Sequence, residues 1–236
     1  MTADKPLGLV LAGGLARRMG GGDKARIRIG GKSIIERVLA RLAPQCSAII
    51  LNANGDPARF ADTGLPVVPD TVPGFAGPLA GILAGLDWAA ARAPEAADVV
   101  SVPGDCPFLP PDLVARLTQA RREAGLPLAC ARSGEWRHPV LGLWPVSLRD
   151  DLRAAVLGED LRKIEAWTAR YGVAIADWPT FAPTSNMMSR RRLGRNRATS
   201  MRRLTPRGKA DSTGLLENDC EILLMRSPTF IGISIH

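Results

Sequence analysis

A glycine-rich segment directly after a short apolar run restricts most strongly how this chain can fold. Residues 8–11, Gly-Leu-Val-Leu, have the character of a buried strand. Residues 12–20 follow as Ala-Gly-Gly-Leu-Ala-Arg-Arg-Met-Gly, whose glycines permit a tight turn. Backbone N–H groups in such a loop can point inward, while the cations Arg17, Arg18 and Lys24 neutralise negative charge from its flanks. The pattern therefore predicts a strand followed by a loop that binds polyphosphate.

The two commoner phosphate-binding loops do not fit this segment. A Walker A loop requires a glycine five residues before the triplet Gly-Lys-Ser at residues 31–33, but position 26 is arginine. A dinucleotide-binding fingerprint requires G-x-G-x-x-G, which the sequence Gly-Gly-Leu at residues 13–15 interrupts. A glycine-rich surface turn without a ligand is the structural alternative, and the adjacent Asp-Lys pair at residues 23–24 disfavours it.

Short apolar runs alternate with longer amphipathic stretches through residue 179. After the first strand, the predicted strands are residues 49–51, 67–68, 99–102, 128–130 and 140–143. The predicted helices are residues 33–43, 78–92, 111–123, 147–156 and 159–171. This alternation indicates βαβ crossovers. We therefore expect an α/β fold with three layers, in which helices cover both faces of a mostly parallel, doubly wound sheet.

Asp105 is the strongest candidate for binding a metal ion. It follows the predicted strand 99–102 and a Pro-Gly turn, so it lies at the carboxyl end of a strand, where ligands of such sheets bind. A carboxylate in that position suits Mg²⁺, which protein sites hold through one or two carboxylate oxygens together with water. The alternative role is an N-cap of the following helix, for which Asp112 is better placed.

Four further polar residues are candidates for contacts with a nucleotide. Lys24 and Arg18 are the predicted partners of a triphosphate, because lysine supplies a point charge and arginine can bridge two phosphate oxygens. Surface solvation is the alternative for both. Asn52 follows a predicted strand and suits the edge of a base or ribose, although it is equally typical of a turn. Asp70 is a turn residue by composition, and its contact with a nucleotide is implied only by the family resemblance described below.

Two further motifs carry weaker signals. Residues 77–81, Gly-Pro-Leu-Ala-Gly, begin a predicted helix, and their small side chains would let a planar ring such as guanine or pterin approach closely. A helix start explains the same residues nearly as well. His138 precedes an apolar strand and is either a contact on the substrate side or a structural histidine.

The glycine-rich segment and five later motifs together resemble the nucleotidyltransferases that activate sugar phosphates and pterin cofactors. The segment from residue 6 to about 179 is most similar to the molybdenum cofactor guanylyltransferases. The later motifs are residues 51–54, 67–70, 77–81, 103–108 and 137–139. The resemblance implies a Rossmann-like nucleotidyltransferase fold. It also implies transfer of GMP from GTP to the phosphate of molybdopterin, with Mg²⁺ as cofactor and molybdoenzyme chaperones as partners.

The resemblance also implies specific roles for residues of this chain. It assigns catalysis to Arg18, Lys24 and Asp105, favours Arg18 over Arg17, and gives the metal to Asp105. The implied nucleotide-binding residues are Leu11, Ala12, Gly13, Lys24, Asn52, Asp70 and Asp105. A cytidylyl- or sugar-phosphate nucleotidyltransferase stays an alternative, although cytidylyl relatives usually begin with Leu-Ala-Ala-Gly. An inactive homologue with a defective C-terminus is a second alternative.

The charge distribution separates residues 1–180 from residues 181–236. The chain has a formal net charge of +8, yet residues 1–180 hold 21 basic and 19 acidic side chains, whereas the tail holds 10 basic and 4 acidic. This balance argues against a nucleic-acid-binding domain. No apolar run is long enough to span a bilayer, and no secretory signal precedes residue 6. We therefore expect a cytoplasmic, monomeric protein that binds neither nucleic acid nor membranes.

The family pattern stops at about residue 181. A nucleotidyltransferase domain over residues 1–180 is predicted to be followed by a basic tail, residues 181–236, with no apolar periodicity between about 184 and 213. Low hydrophobicity predicts that this tail is largely disordered. Because composition changes where the family pattern should finish, we hypothesise that the tail is translated out of frame, and a genuine basic extension is the alternative. Resequencing the gene distinguishes the two.

Overall fold

A seven-stranded sheet forms the centre of the protein in the computed structural model, which describes residues 5–12, 24–29, 31–72 and 77–178. The strands, named in chain order, are β1 Leu7–Leu11, β2 Arg28–Ile29, β3 Lys32–Ser33, β4 Ile49–Asn52, β5 Val67–Val68, β6 Asp98–Pro103, β7 Leu128–Ser133, β8 Trp136–Pro145 and β9 Val173–Trp178. The main sheet has the order β5-β4-β1-β6-β8-β7-β9, and β2 and β3 form a separate antiparallel pair. Only β8 runs antiparallel to its neighbours in the main sheet.

Helices cover both faces of the sheet, which confirms the predicted three-layer, mostly parallel α/β fold. The α-helices are α1 Ile34–Leu42, α2 Pro78–Arg92, α3 Leu113–Ala124, α4 Arg149–Gly158 and α5 Ile164–Thr168. The 3₁₀ helices are Lys24–Arg26, Ala43–Gln45, Pro57–Thr63 and Val146–Leu148. One buried apolar cluster contains side chains of α1 and α3, and a second contains side chains of α2, α4 and α5. Burial on both faces explains why the central strands read as continuous apolar runs.

Four elements, α5, β8, β2 and β3, differ from the sequence prediction. Of the predicted helix 159–171, only α5 is helical. Asp160 has a left-handed backbone conformation with φ 50°, which interrupts a right-handed helix. The predicted strand 140–143 is the last part of the ten-residue strand β8, which begins in a hairpin with β7. The pair β2 and β3 was not predicted, since two-residue strands carry no periodicity.

Asp112 occupies the N-cap position of α3 but does not cap it with its side chain. Its carboxylate instead accepts hydrogen bonds from Arg116 Nε at 2.7 Å and from Trp178 Nε1 at 3.1 Å. Gln45 Oε1 accepts the N–H of Val114 at 3.0 Å in its place. The expectation that Asp112 acts as a side-chain cap is therefore wrong, because ionic and indole partners compete successfully for its oxygens.

The predicted tail, residues 181–236, lies outside the described residues, and so does the expectation that it is disordered. Within the part of the chain that the structure describes, no helix combines the length and the apolar character needed to cross a bilayer.

Candidate functional site

The carboxyl ends of three neighbouring strands bring the main candidate residues together. Leu11, the last residue of β1, is paired with Asn52 at the end of β4 and with Pro103 at the end of β6. The N–H of Ala12 donates to Asn52 O at 2.8 Å, and the N–H of Gly104 donates to Leu11 O at 2.9 Å. The glycine-rich segment therefore starts between the Asn52 and Asp105 loops, as the predicted parallel sheet requires.

Asp105 lies two residues beyond the end of β6 and is half-buried. The turn before it packs closely on β1, since a Cβ atom at Gly104 would lie 3.2 Å from Leu11 O and 3.3 Å from Ala12 Cβ. A side chain larger than hydrogen at position 104 would therefore push the Asp105 turn away from β1. The backbone thus fixes this carboxylate next to the start of the glycine-rich segment.

The neighbouring Cys106 cannot supply a thiolate at neutral pH. Burial, with a smaller contribution from the charge of Asp105, raises the pKa of the Cys106 thiol to about 11. Cys46, Cys106 and Cys130 all carry free thiols. A thiol that keeps its proton is a poor nucleophile and a poor metal ligand.

Asn52 and Asp70 belong to one hydrogen-bonded network, together with Asn54. The Asn52 side chain is 4% exposed, and its Nδ2 donates to Val68 O at 3.1 Å and to Asp70 Oδ1 at 2.9 Å. Asn54 Nδ2 donates to Asp70 Oδ2 at 2.7 Å, and Asn54 Oδ1 accepts the N–H of Asp70 at 2.9 Å. Both N–H groups of the Asn52 amide are therefore used within the protein. Asn54 lies within the sequence motif 51–54 but was not among the predicted site residues.

Gly81 in α2 is closely covered by protein atoms. A Cβ atom there would lie 2.4 Å from Asn52 Oδ1 and 2.7 Å from Leu11 Cδ2. Gly85, one turn later, has the same function against β1, where a Cβ atom would lie 2.5 Å from Leu9 Cδ2. The expectation that Gly81 leaves room for a planar ligand ring is therefore wrong. Its missing side chain lets α2 pack against the strands that carry the site.

After the glycine-rich segment, the described part of the chain resumes at the 3₁₀ helix Lys24–Arg26. Ala25 is buried in the core. Arg26 donates to Asp62 Oδ1 at 2.8 Å and to Asp62 Oδ2 at 2.5 Å, and it also bonds Arg59 O. The backbone of Lys24 is therefore tied to the core on its C-terminal side. The Lys24 side chain, Gly13 and Arg18 lie outside the described residues, and their roles stay predictions.

His138 lies in the β7–β8 hairpin, where its Nε2 and Ser133 Oγ are 2.6 Å apart. Burial lowers the pKa of the imidazole below its usual value of 6.5. The side chain is thus neutral at neutral pH and hydrogen-bonded within its own hairpin. This arrangement fits the structural reading of His138.

The depressed pKa of His138 predicts a loss of stability in mild acid. Below about pH 6.5 the unfolded chain protonates this imidazole while the folded protein does not, so the free energy of unfolding falls as the pH drops through that window. We expect the melting temperature of the wild type to fall more between about pH 7.5 and about pH 5 than that of His138→Asn. Equal decreases in the two proteins would show that His138 does not contribute.

Comparison with known proteins places the chain among nucleotidyltransferases. Residues 8–174 match the family described as the MobA-like NTP transferase domain. A molybdenum cofactor guanylyltransferase from Bradyrhizobium sp. (strain ORS 278) is 63% identical over 172 residues, covering 73% of this chain and 81% of the relative. The crystal structure of molybdopterin-guanine dinucleotide biosynthesis protein A from Archaeoglobus fulgidus is 24% identical, with a TM-score of 0.55 over 73% of this chain and 83% of that one. The protein Rv0371C from Mycobacterium tuberculosis, whose crystal structure is a complex with manganese, is 17% identical to this chain. It shares the fold with a TM-score of 0.53 over 79% of this chain and 97% of its own.

Proposed function

The chain belongs to the molybdenum cofactor guanylyltransferases, within the MobA-like NTP transferase family, and we propose that it transfers GMP from GTP to the phosphate of molybdopterin. The products are the guanine dinucleotide form of the cofactor and pyrophosphate. The observation that carries this proposal is the meeting of Leu11, Asn52 and the Asp105 turn at one edge of the sheet. That edge joins the start of the predicted phosphate-binding loop, a polar network and a carboxylate, which are groups that nucleotidyl transfer requires.

The reaction needs positioning and charge neutralisation more than proton transfer. An oxygen of the acceptor phosphate forms a bond to the α-phosphorus of GTP, and the bond from that phosphorus to the oxygen bridging to the β-phosphate breaks. The bonding electrons leave with pyrophosphate. The acceptor phosphate is already anionic at neutral pH, so no strong general base is required. The protonated Cys106 thiol and the hairpin-bound His138 are therefore not needed for the chemistry.

Asp105 is the residue that we propose to hold the divalent metal ion, which we propose to be Mg²⁺. Its carboxylate offers hard oxygen ligands at the edge where the phosphates would lie. Among the described residues, no group of three or more His, Cys, Asp or Glu side chains is arranged to hold a metal ion. This donor set fits an ion that is shared with substrate phosphates and water. Such an ion supplies charge neutralisation between the phosphates.

Lys24 is proposed to neutralise the triphosphate together with Arg18. We expect Lys24→Ala chiefly to raise the KM for GTP, because it removes a cation next to the phosphates. The value of kcat falls as well if Lys24 also meets the charge that develops on the leaving pyrophosphate. Initial rates at varied GTP concentrations measure both constants. Lys32→Ala, at the exposed position of β3, is the matched control, and unchanged constants for Lys24→Ala would show that Lys24 only faces solvent.

One assay separates the proposed function from its alternatives. The full chain is incubated with Mg²⁺, one labelled triphosphate at a time, and either molybdopterin or a sugar phosphate as acceptor, and pyrophosphate release is measured. Release with GTP well above that with ATP and CTP supports guanylyl transfer. Release with CTP in preference would favour the cytidylyl alternative, release only with a sugar phosphate as acceptor would favour a sugar-phosphate transferase, and no release with any nucleotide would favour an inactive homologue.

We also propose the compartment, the oligomeric state and the partners of the protein. The free thiols of Cys46, Cys106 and Cys130 suit a reducing compartment, so we place the protein in the cytoplasm. We propose that it acts as a monomer and passes its product to molybdoenzyme chaperones. Sedimentation of the purified chain tests whether it is a monomer. Co-purification of the cofactor with such a chaperone tests whether the product is passed on.

A further inference from the structure

The Asp70 carboxylate is held by two amides and by no cation among the described residues. Asn52 donates to one of its oxygens and Asn54 donates to the other, at 2.9 Å and 2.7 Å. The Asp70 side chain is half-buried and lies two residues beyond β5, next to the strand end that carries Asn52. A carboxylate offers about four acceptor positions, of which these bonds use two. Each oxygen therefore keeps one position for a further donor.

The Asn54 side chain fixes the orientation of this carboxylate. Its Nδ2 donates to Asp70 Oδ2, and its Oδ1 accepts the N–H of Asp70 at 2.9 Å. Two bonds between the same two residues close a ring, so the carboxylate cannot rotate without breaking one of them. Asn52 is already fixed by Val68 O and by contact with Gly81, which makes it a rigid second support.

A fixed carboxylate with two free acceptor positions selects a particular kind of base. Guanine presents two adjacent donors, its N1–H and its N2 amino group, which can form parallel hydrogen bonds to the two oxygens. Adenine and cytosine present a donor beside an acceptor, and an acceptor placed against a carboxylate oxygen is repelled. A phosphate group is also repelled by Asp70, because both are anionic. The network therefore suits a base edge and not the triphosphate.

We infer that Asn54 is a positioning residue for guanine selection, acting by holding the Asp70 carboxylate in the orientation that receives the N1–H and N2 donors of the base. This inference rests on the proposed use of GTP and adds the residue that sets its selectivity. Asn54 does not touch the reacting phosphates, so its effect falls on nucleotide binding and leaves kcat at saturating GTP nearly unchanged.

Inosine triphosphate provides the discriminating probe, because it differs from GTP only by the absence of the N2 amino group. Calorimetric titration of the full chain with each nucleotide and Mg²⁺ gives the two dissociation constants without any acceptor. A hydrogen bond to a charged group corresponds to a preference of about 10- to 100-fold for GTP in the wild type. We expect Asn54→Ala to lower this preference by about tenfold while ITP binding changes much less. Thr71→Ala, beside Asp70 but outside the network, is the matched control.

A merely structural role for Asn54 would weaken the binding of GTP and ITP by the same factor, and that result overturns the inference. Asn54→Asp keeps the shape of the side chain and covers the case in which Asn54→Ala does not fold. At neutral pH its carboxylate repels Asp70 and the preference for GTP is lost. At lower pH the introduced carboxyl is protonated and can donate to Asp70, so the preference returns. A preference that stays low at all pH values also contradicts the inference.

The binding experiment is independent of the acceptor. If the wild type binds GTP selectively and Asn54→Ala keeps that selectivity, the inference fails while guanylyl transfer stands. If the wild type releases no pyrophosphate from GTP and molybdopterin, the proposed function fails while the titrations still report on Asn54.

Discussion

Replacement of Asp105 by alanine is expected to lower the rate of nucleotidyl transfer by a factor of about 10² or more. The carboxylate lies at the carboxyl end of β6, beside the start of the glycine-rich segment, and is the proposed metal ligand at that edge. Its loss leaves the negative charge of the phosphates without the ion that would offset it. Single-turnover measurements with GTP and molybdopterin report the chemical step directly, and circular dichroism shows whether the variant is folded.

Two further variants make the Asp105 experiment specific. Asp105→Asn retains the size of the side chain but removes its charge, so it should lose most of the activity as well. Asp150→Ala removes a carboxylate whose side chain is 78% exposed in α4 and should leave the rate within about twofold of wild type. Near-normal activity of a folded Asp105→Ala protein would remove Asp105 from the metal site.

The Gly81→Ala substitution is expected to damage both stability and GTP binding. The added Cβ would lie 2.4 Å from Asn52 Oδ1, and Asn52 cannot retreat without breaking its bonds to Val68 O and Asp70. Overpacking of this kind lowers the free energy of unfolding by about 1–3 kcal/mol. The better helix propensity of alanine offsets about 1 kcal/mol of this loss. Displacement of Asp70 should weaken GTP binding by about tenfold. Chemical denaturation and calorimetric titration measure the two effects.

Gly85→Ala is the matched control for Gly81→Ala. It lies one turn later on the same face of α2, and its added Cβ would lie 2.5 Å from Leu9 Cδ2, the end of a flexible side chain in the core. We expect this variant to lose stability but to bind GTP like the wild type, since Leu9 is paired with Ile50 and Ser101 in the sheet, two residues before the strand ends that carry the Asn52 network. If both variants weakened GTP binding equally, the link from Gly81 through Asn52 to Asp70 would be disproved.

Most of the sheet could be predicted because its strands are buried on both faces. Such strands are short apolar runs between turns, and the runs at residues 49–51, 67–68 and 99–102 match β4, β5 and β6 within a residue at each end. The helix predicted at residues 78–92 has the same bounds as α2. The first part of β8 was not predicted, because Trp136 and Arg137 are exposed and this end of the strand has no apolar pattern.

The candidate site was predictable only where it follows strand ends. Asp105 and Asn52 could be placed at one edge because parallel strands share the direction of their carboxyl ends. The bonds between Asn54 and Asp70 could not be predicted, since they join two loops that are 16 residues apart in sequence. The role of Gly81 was misjudged for a related reason. A small residue signals close approach, but sequence alone does not say whether a ligand or another part of the chain approaches.

The position of β1 between β4 and β6 determines when the proposed GTP-binding edge can form during synthesis. A ribosome adds about 5–20 residues per second, so β1, which ends at Leu11, waits several seconds for the partner strand that starts at Asp98. Parallel pairing between such distant segments forms slowly. The residues proposed for this edge all lie at or before Asp105, however, so they are synthesised before β7 and β9. Changes of sequence after residue 180 therefore act on a domain whose proposed nucleotide-binding residues have already been made.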